Sequence, residues 1–345
     1  MQMIPHSKPY IGALEKEYID SVLYTGMLTK GNYYGTLCKK MKKYLEAEHL
    51  VFCCSGQGAL YAILSVIKAK DGVNKNEIIM PTYVCGTVAT AVENAGFKPV
   101  FCDIGIDWVI NYDCVMSKIT SKTKAIIIVN IFGIMVDIRK LCNLELLIIE
   151  DNAQSFYKGK GAKCDFSFYS LQATKCLTTI EGGIAVANNE DYFDSFSILS
   201  KKFEESNGYN EINSALGLAQ LEQYDCFLEK RYKIATFYFR AICKELTSEI
   251  RKVNESIYFR FPLRYKSFQT FERIQYRFKQ NGISVRKGVD MLLHEAYEIK
   301  NADFENSKQV YEETISIPIY PAMSLDEAKY IAKTVNRILI EEDSV

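Results

Sequence analysis

A rhythm that repeats between residues 49 and 150 constrains this chain more than any other feature. Each unit is a short apolar run, a turn of small residues and then apolar residues at helical spacing. "HLVFCC" leads through "SGQG" into "ALYAILSVIKA", and "EIIM" leads through Pro81 into "VATAVENAG", where Gly96 is a helix stop. "PVFCDI", "KAIIIVNIFG" and "LLIIED" follow as three more strand-length, β-branched runs. Strands that are apolar throughout are covered on both faces, and strands that alternate with helices build a parallel sheet. The expected fold class is therefore α/β, with a mostly parallel sheet between helices.

A different pattern begins later. Glu211 to Leu246 reads as one long, mostly helical stretch without proline; "YFRFPLRY" is strand-like, "TFERIQYRFKQNG" helical, "SVRKG" extended and "SLDEAKYIAKTVNRILIEE" helical. We expect two units, a large α/β domain over 1–225 that includes an N-terminal helical segment, and a smaller α+β domain over 226–345.

Composition excludes several function classes. Lys+Arg and Asp+Glu both number 42 in 345 residues, so no global field exists to draw nucleic acid or an anionic membrane, and any anion must be bound locally. The 11 cysteines are scattered with no CxxC pair, which argues against a zinc site and against a secreted disulfide framework. The start carries no signal-peptide pattern, and no run approaches the roughly 20 apolar residues of a membrane span. A reducing cytoplasm is the expected location.

Ligands of open α/β sheets collect at the carboxyl ends of the strands. "SGQGAL", Ser55 to Leu60, is a strand-to-helix turn whose backbone N–H groups and helix dipole suit a phosphate, although a plain tight turn explains it equally well. "IIEDNAQS" places two carboxylates and an amide after an apolar strand. Asp151 could bind a metal, act as a base, hold a protonated ring nitrogen, or only cap a following helix. "SLQATKCLTTIEGG", Ser170 to Gly183, sets Lys175 among small and apolar residues. An amine that must lose its proton near neutral pH needs such a place, though lysines are mostly exposed. A phosphate cradle, an acid and a buried lysine together are the anchors that pyridoxal phosphate (PLP) requires.

The order SGxxAL, PxY, GxKPVFxDI, IEDxAQ, SxxxTK and EGG resembles the DegT/StrS family of PLP-dependent sugar-nucleotide aminotransferases, of fold type I. The likeness runs from "IPHSKPYIG" to "ALGLAQL" and resumes at "SIPIYP". It implies Lys175 as the lysine that carries the cofactor and moves the proton, and Asp151 as the partner of the pyridinium nitrogen. Gln154, one helical turn on, is implied near the phenolic oxygen, and the N–H groups of Gly56 and Gln57 with the Ser170 hydroxyl at the phosphate. An asparagine reaching the phosphate of a second subunit is implied at Asn207, with Asn210 as a competitor, and hence a homodimer with shared sites. Where the family puts an aromatic ring over the cofactor this chain has Cys85, with Tyr83 two residues earlier on what would be the same face of an extended segment. Met27, Leu28 and Thr29 of "TGMLTKG" match the segment that lines the sugar pocket, unless they form a simple turn between helices. Arg286 and His294 are candidates for contacting a nucleotide diphosphate, Arg286 the better because a guanidinium matches phosphate geometry, whereas a lone histidine is more often a satisfied structural residue.

The activity implied is transfer of an amino group, from L-glutamate, to a keto-sugar nucleotide of the 4-keto-6-deoxyhexose class, in the synthesis of cell-surface polysaccharide. Alternatives are a sugar dehydratase of the same fold, whose members carry histidine where this chain has Lys175, a binding or regulatory protein without turnover, and a plain nucleotide-binding α/β protein.

Overall fold

The computed structural model describes residues 3–29, 31–141, 143–159, 164–206, 209–253, 255–266, 270–299 and 304–341. Two helices, α1 (Ala13–Thr25) and α2 (Asn32–Leu45), precede the alternating region. There the apolar runs become β1 (His49–Cys53), β2 (Glu77–Pro81), β3 (Lys98–Cys102), β4 (Thr123–Val129) and β5 (Leu147–Asp151). Helices α3 (Gly56–Asp71), α4 (Gly86–Asn94) and α5 (Tyr112–Lys118) fall between them, and β6 (Phe166–Ser170) and β7 (Gly183–Ala187) complete a seven-stranded sheet.

The strand order is β1-β7-β6-β5-β4-β2-β3. Strand β7 runs antiparallel to both its neighbours, and the remaining contacts are parallel. The strands are buried on both faces because helices cover both. Ile127, Ile149 and Phe166 face one apolar core, and Ile126, Ile128 and Ile148 face another on the opposite side. Strands β2, β4, β5 and β6 all end at one edge of the sheet, where α3 and α4 begin and where the antiparallel β7 starts.

Helices α6 (Phe193–Ser206), α7 (Glu211–Glu222) and α8 (Tyr224–Ala241) follow the sheet. The stretch expected as one long helix is interrupted at Gln223, whose φ of −104° and ψ of 0° are not helical. Its Nε2, like that of Gln220, donates to Oε1 of the buried Glu15 in α1, which ties the break to the N-terminal helix.

Beyond α8 come α9 (Ser248–Lys252), β8 (Phe261–Arg264), α10 (Phe271–Gln280), α11 (Leu293–Ala296), α12 (Glu305–Glu313), β9 (Thr314–Ile317) and α13 (Leu325–Asn336). Strands β8 and β9 pair antiparallel, and Arg286 bridges to Ser316 beside them. The first described residues join this region: Ile4 bridges to Ile283, and His6 Nε2 lies 2.9 Å from Ser316 Oγ. Among the described residues no helix is long and apolar enough to cross a membrane, and no group of three or more His, Cys, Asp or Glu is placed to hold a metal ion.

Candidate active site

Paired residues of adjacent strands present side chains to the same face. Val129 pairs with Asp151 and Asp151 with Phe168, so all three project to one side of the sheet. Ser170 lies two residues beyond Phe168 and shares that side. These four side chains form the floor of a cavity of about 340 Å³. Ser55, Gly56 and Gln57 at the start of α3 close one end, Val84, Cys85 and Thr87 at the start of α4 another, and Ala153, Gln154, Gln172 and Lys175 complete it.

The α3 end is built for an anion. Ser55 is the N-cap, its Oγ accepting the Gly58 N–H at 3.0 Å, which leaves the N–H groups of Gly56 and Gln57 with no acceptor inside the helix. A Cβ on Gly56 would stand 2.9 Å from Ser170 Cβ, so only glycine lets the Ser170 hydroxyl approach those N–H groups. A 16-residue helix adds its positive end.

Asp151 is buried and its Oδ1 accepts the Ala153 N–H at 2.9 Å. Burial raises its pKa from the ordinary carboxylate value to about 6, against the Ala153 hydrogen bond and the Lys175 charge, which lower it. Residues 152–159 form turns and no helix, so the capping alternative falls. The backbone instead turns, with Ala153 N–H on the carboxylate and Ser155 N–H on the Asn152 carbonyl at 3.1 Å. Gln154 therefore reaches the cavity from a turn rather than from one helical turn on. Its Oε1 accepts the Phe132 N–H at 2.8 Å, so the end of the amide left for a ligand is the NH2 donor.

Lys175 leaves the turn after β6, its N–H bonded to the Gln172 carbonyl at 2.8 Å. It is half-buried, with Nζ 5.4 Å from the centre of the Phe259 ring. Burial lowers its pKa below the ordinary lysine value; the Asp151 charge opposes this and the Arg260 charge adds to it. Phe259 is itself held in place, since Nη1 of the buried Arg231 donates to the carbonyls of Tyr258, Phe259 and Ile319 at 3.0–3.1 Å. This answers why a lysine occupies an apolar, small-residue stretch: the turn delivers it to the cavity.

Several sequence candidates lie elsewhere. Residues 82–84 bend instead of continuing the strand, so Tyr83 and Cys85 do not share a face. Cys85 lines the cavity, whereas Tyr83 is buried with its hydroxyl against Gly288 and is not part of the lining. His294 is buried, its Nδ1 2.8 Å from Thr82 Oγ1 and its ring stacked 3.9 Å from that of Phe304, away from the cavity. Met27, Leu28 and Thr29 form the exposed connection between α1 and α2 and do not line the cavity. Arg286 is exposed and also outside the lining. Asn210 caps α7, its Oδ1 accepting the Asn213 N–H at 3.0 Å, and Asn207 lies outside the described residues.

Two residues that the sequence reading did not single out matter here. Glu211 is buried, and its carboxylate accepts the N–H groups of Gly31, Tyr33 and Tyr34 at 2.8–2.9 Å, capping α2 from a distant part of the chain. Arg260 stands on the Phe259 ring at 5.5 Å, beside Lys175. Neither carries a local sequence pattern that would have marked it.

The sequence model of the DegT/DnrJ/EryC1/StrS aminotransferase family matches residues 9–336. A GDP-perosamine synthase of Escherichia coli O157:H7 is 27% identical over 364 residues, covering 97% of this chain and 98% of that protein. Among solved structures, Helicobacter pylori PseC, described as an aminotransferase involved in the biosynthesis of pseudoaminic acid, superposes with a TM-score of 0.90 at 22% identity, over 99% of this chain and all of that one. The PLP-form of the sugar aminotransferase Spr1654 from Streptococcus pneumoniae gives 0.83 at 24% identity, over 98% of this chain and 99% of that one.

Proposed function

Because the chain belongs to the DegT/DnrJ/EryC1/StrS aminotransferase family, we propose that it is a PLP-dependent aminotransferase that moves an amino group from L-glutamate to a keto-sugar nucleotide of the 4-keto-6-deoxyhexose class. One observation carries the reading. A buried carboxylate, a lysine of lowered proton affinity and an open helix N-terminus meet in a single cavity large enough for a small cofactor. The names of the relatives, a GDP-perosamine synthase and an aminotransferase of pseudoaminic acid biosynthesis, support a sugar-nucleotide acceptor and a role in surface polysaccharide synthesis, and the PLP-form neighbour supports the cofactor.

The residues fit that cofactor. Asp151 is costly as an isolated buried anion, and its raised proton affinity expresses that cost; a cationic ring N–H placed against it would relieve the penalty. The N–H groups of Gly56 and Gln57 with the Ser170 hydroxyl would take the phosphate, and the Gln154 amide would meet the phenolic oxygen. When bound, PLP supplies the electron sink that makes the Cα–H of an amino acid acidic. Lys175 supplies the base: its depressed pKa leaves a larger share of neutral amine near pH 7 to take the proton from the donor's Cα. Ile131, Val84 and Phe168 supply an apolar wall that keeps water from the reacting carbon.

In this reading residues 1–225 hold the cofactor and residues 226–345 cover the substrate. The enzyme works in the cytoplasm as a homodimer with shared sites. A dehydratase would require an imidazole where Lys175 stands. The test is Lys175→Ala: turnover falls by at least about a hundredfold, the contribution of a positioned general base. Full turnover in that variant removes Lys175 from the mechanism.

A further inference from the structure

Arg260 lies behind the cavity lining, next to Lys175 and Cys85, and among the described residues it has no carboxylate within ion-pair distance. Arg260 is half-buried, yet its closest polar partner among the described residues is a backbone carbonyl, Nη1 donating to Gly288 at 3.1 Å. Arg264 by contrast pairs with Glu313 at 2.5 Å and Arg139 with Asp137 at 2.7 Å, while Arg231, which also meets only carbonyls, is held by three of them. Asp290 is the acid that faces Arg260, and it lies beyond ion-pair distance. Arg286 stands close enough to disfavour the Arg260 charge, and its backbone pairs with Ser316, whose hydroxyl meets His6.

The position of Arg260 relative to the chemistry is fixed by Phe259. One ring carries the Lys175 ammonium at 5.4 Å and the Arg260 guanidinium at 5.5 Å. The bond to Gly288 fixes one nitrogen of the fork and leaves the others to a ligand. Gly288 in turn is packed on the Tyr83 hydroxyl, which a Cβ would approach to 1.9 Å. A half-buried guanidinium and a half-buried lysine side by side, with the exposed Arg286 adding its charge to Arg260 from outside, are unfavourable alone, and an oxyanion beside them offsets this. A planar guanidinium binds carboxylate or phosphate through two parallel hydrogen bonds.

We propose that Arg260, flanked by Arg286, is the substrate-anion anchor of this site, taking an oxyanion of the substrate beside Lys175. The inference rests on the aminotransferase reading for what the substrate is. Two substrates of that reaction offer the required group: the amino donor through its carboxylates and the acceptor through its diphosphate. Nothing in the capture changes a covalent bond. Arg260 positions substrate by charge and direction, and Lys175 moves the proton.

The experiment compares wild type with Arg260→Met and Arg260→Lys by isothermal titration, using maleate as an unreactive dicarboxylate and inorganic pyrophosphate as the diphosphate probe, with and without PLP. Visible absorption records cofactor uptake separately, so failure of the PLP reading and failure of the anchor register in different signals. Arg260→Met is expected to weaken at least one probe roughly tenfold to a hundredfold, with Arg260→Lys intermediate because it keeps the charge and loses the fork. Loss confined to maleate identifies the donor's carboxylate, loss confined to pyrophosphate the acceptor's diphosphate, and loss of both a shared site. Unchanged binding of both probes in Arg260→Met, or in Arg260→Lys should the first variant not fold, overturns the proposal. In turnover assays the variants raise KM for the substrate so identified more than they lower kcat, a split that a loss of structure alone does not produce.

Discussion

Gly183 and Ser55 lie closer than any side chain would allow: a Cβ on Gly183 would stand 2.2 Å from the Ser55 carbonyl oxygen. Gly183 pairs with Cys53 on one side and Ser170 on the other, so it joins the two arms of the anion site. Gly183→Ala must push β7 away from the start of α3, and overpacking of this kind costs about 1–3 kcal/mol. The expected result is a lower melting temperature together with weaker PLP binding, read by thermal unfolding and by absorbance titration. Wild-type affinity in a destabilised Gly183→Ala would separate the glycine from the cradle.

The raised pKa of Asp151 gives a pH dependence of definite sign. Without cofactor its folded-state pKa of about 6 lies above the unfolded value of about 4, so the native state binds the extra proton and gains stability that is lost as pH rises through about 6. Asp151→Asn keeps an acceptor for the Ala153 N–H and removes the titration. In urea unfolding of cofactor-free protein, the variant should gain on wild type by an order of 1–3 kcal/mol between pH 4 and pH 7, while its transamination falls. Parallel stability profiles would contradict the burial argument, and full activity in Asp151→Asn would contradict the pyridinium pairing.

Cys85 lines the cavity and Tyr83 does not. Iodoacetamide should alkylate Cys85, and PLP should slow that reaction, as peptide mass mapping would record. Tyr83→Phe should change PLP affinity less than about twofold, the scale of a substitution away from the site, since Tyr83 is not among the lining residues. Protection absent at Cys85 would place the cofactor elsewhere.

Glu211 satisfies three N–H groups at the start of α2 from 177–180 residues away in sequence. A neutral amide offers one acceptor oxygen in place of two, so Glu211→Gln should lose about 1–3 kcal/mol, the scale of buried donors left without partners. Chemical denaturation measures it. An unchanged midpoint would mean that water replaces the carboxylate.

Much of this arrangement was legible in the chain. Apolar runs that do not alternate identify doubly covered strands, and each expected run from "HLVFCC" to "LLIIED" forms its strand. Asp151 stood at a readable strand end and Lys175 beside apolar neighbours, while Ser170 came from the family resemblance alone; one cavity is lined by all three. The relationships that escaped are those between distant segments. Nothing local shows that residues 82–84 bend so that Tyr83 turns to Gly288, that Gln223 breaks the long helix, or that Arg260 and Lys175 share the Phe259 ring. His294 was a candidate for a nucleotide diphosphate or a satisfied structural histidine, and the partner that satisfies it, Thr82, lies 212 residues earlier.

The most direct test of the account is the visible spectrum of the purified protein with PLP, followed by titration with L-glutamate. A cofactor band at about 410–430 nm that falls as one near 330 nm rises is the expected result, the signature of the amino group passing from donor to cofactor. A protein that develops no cofactor band would contradict the central claim.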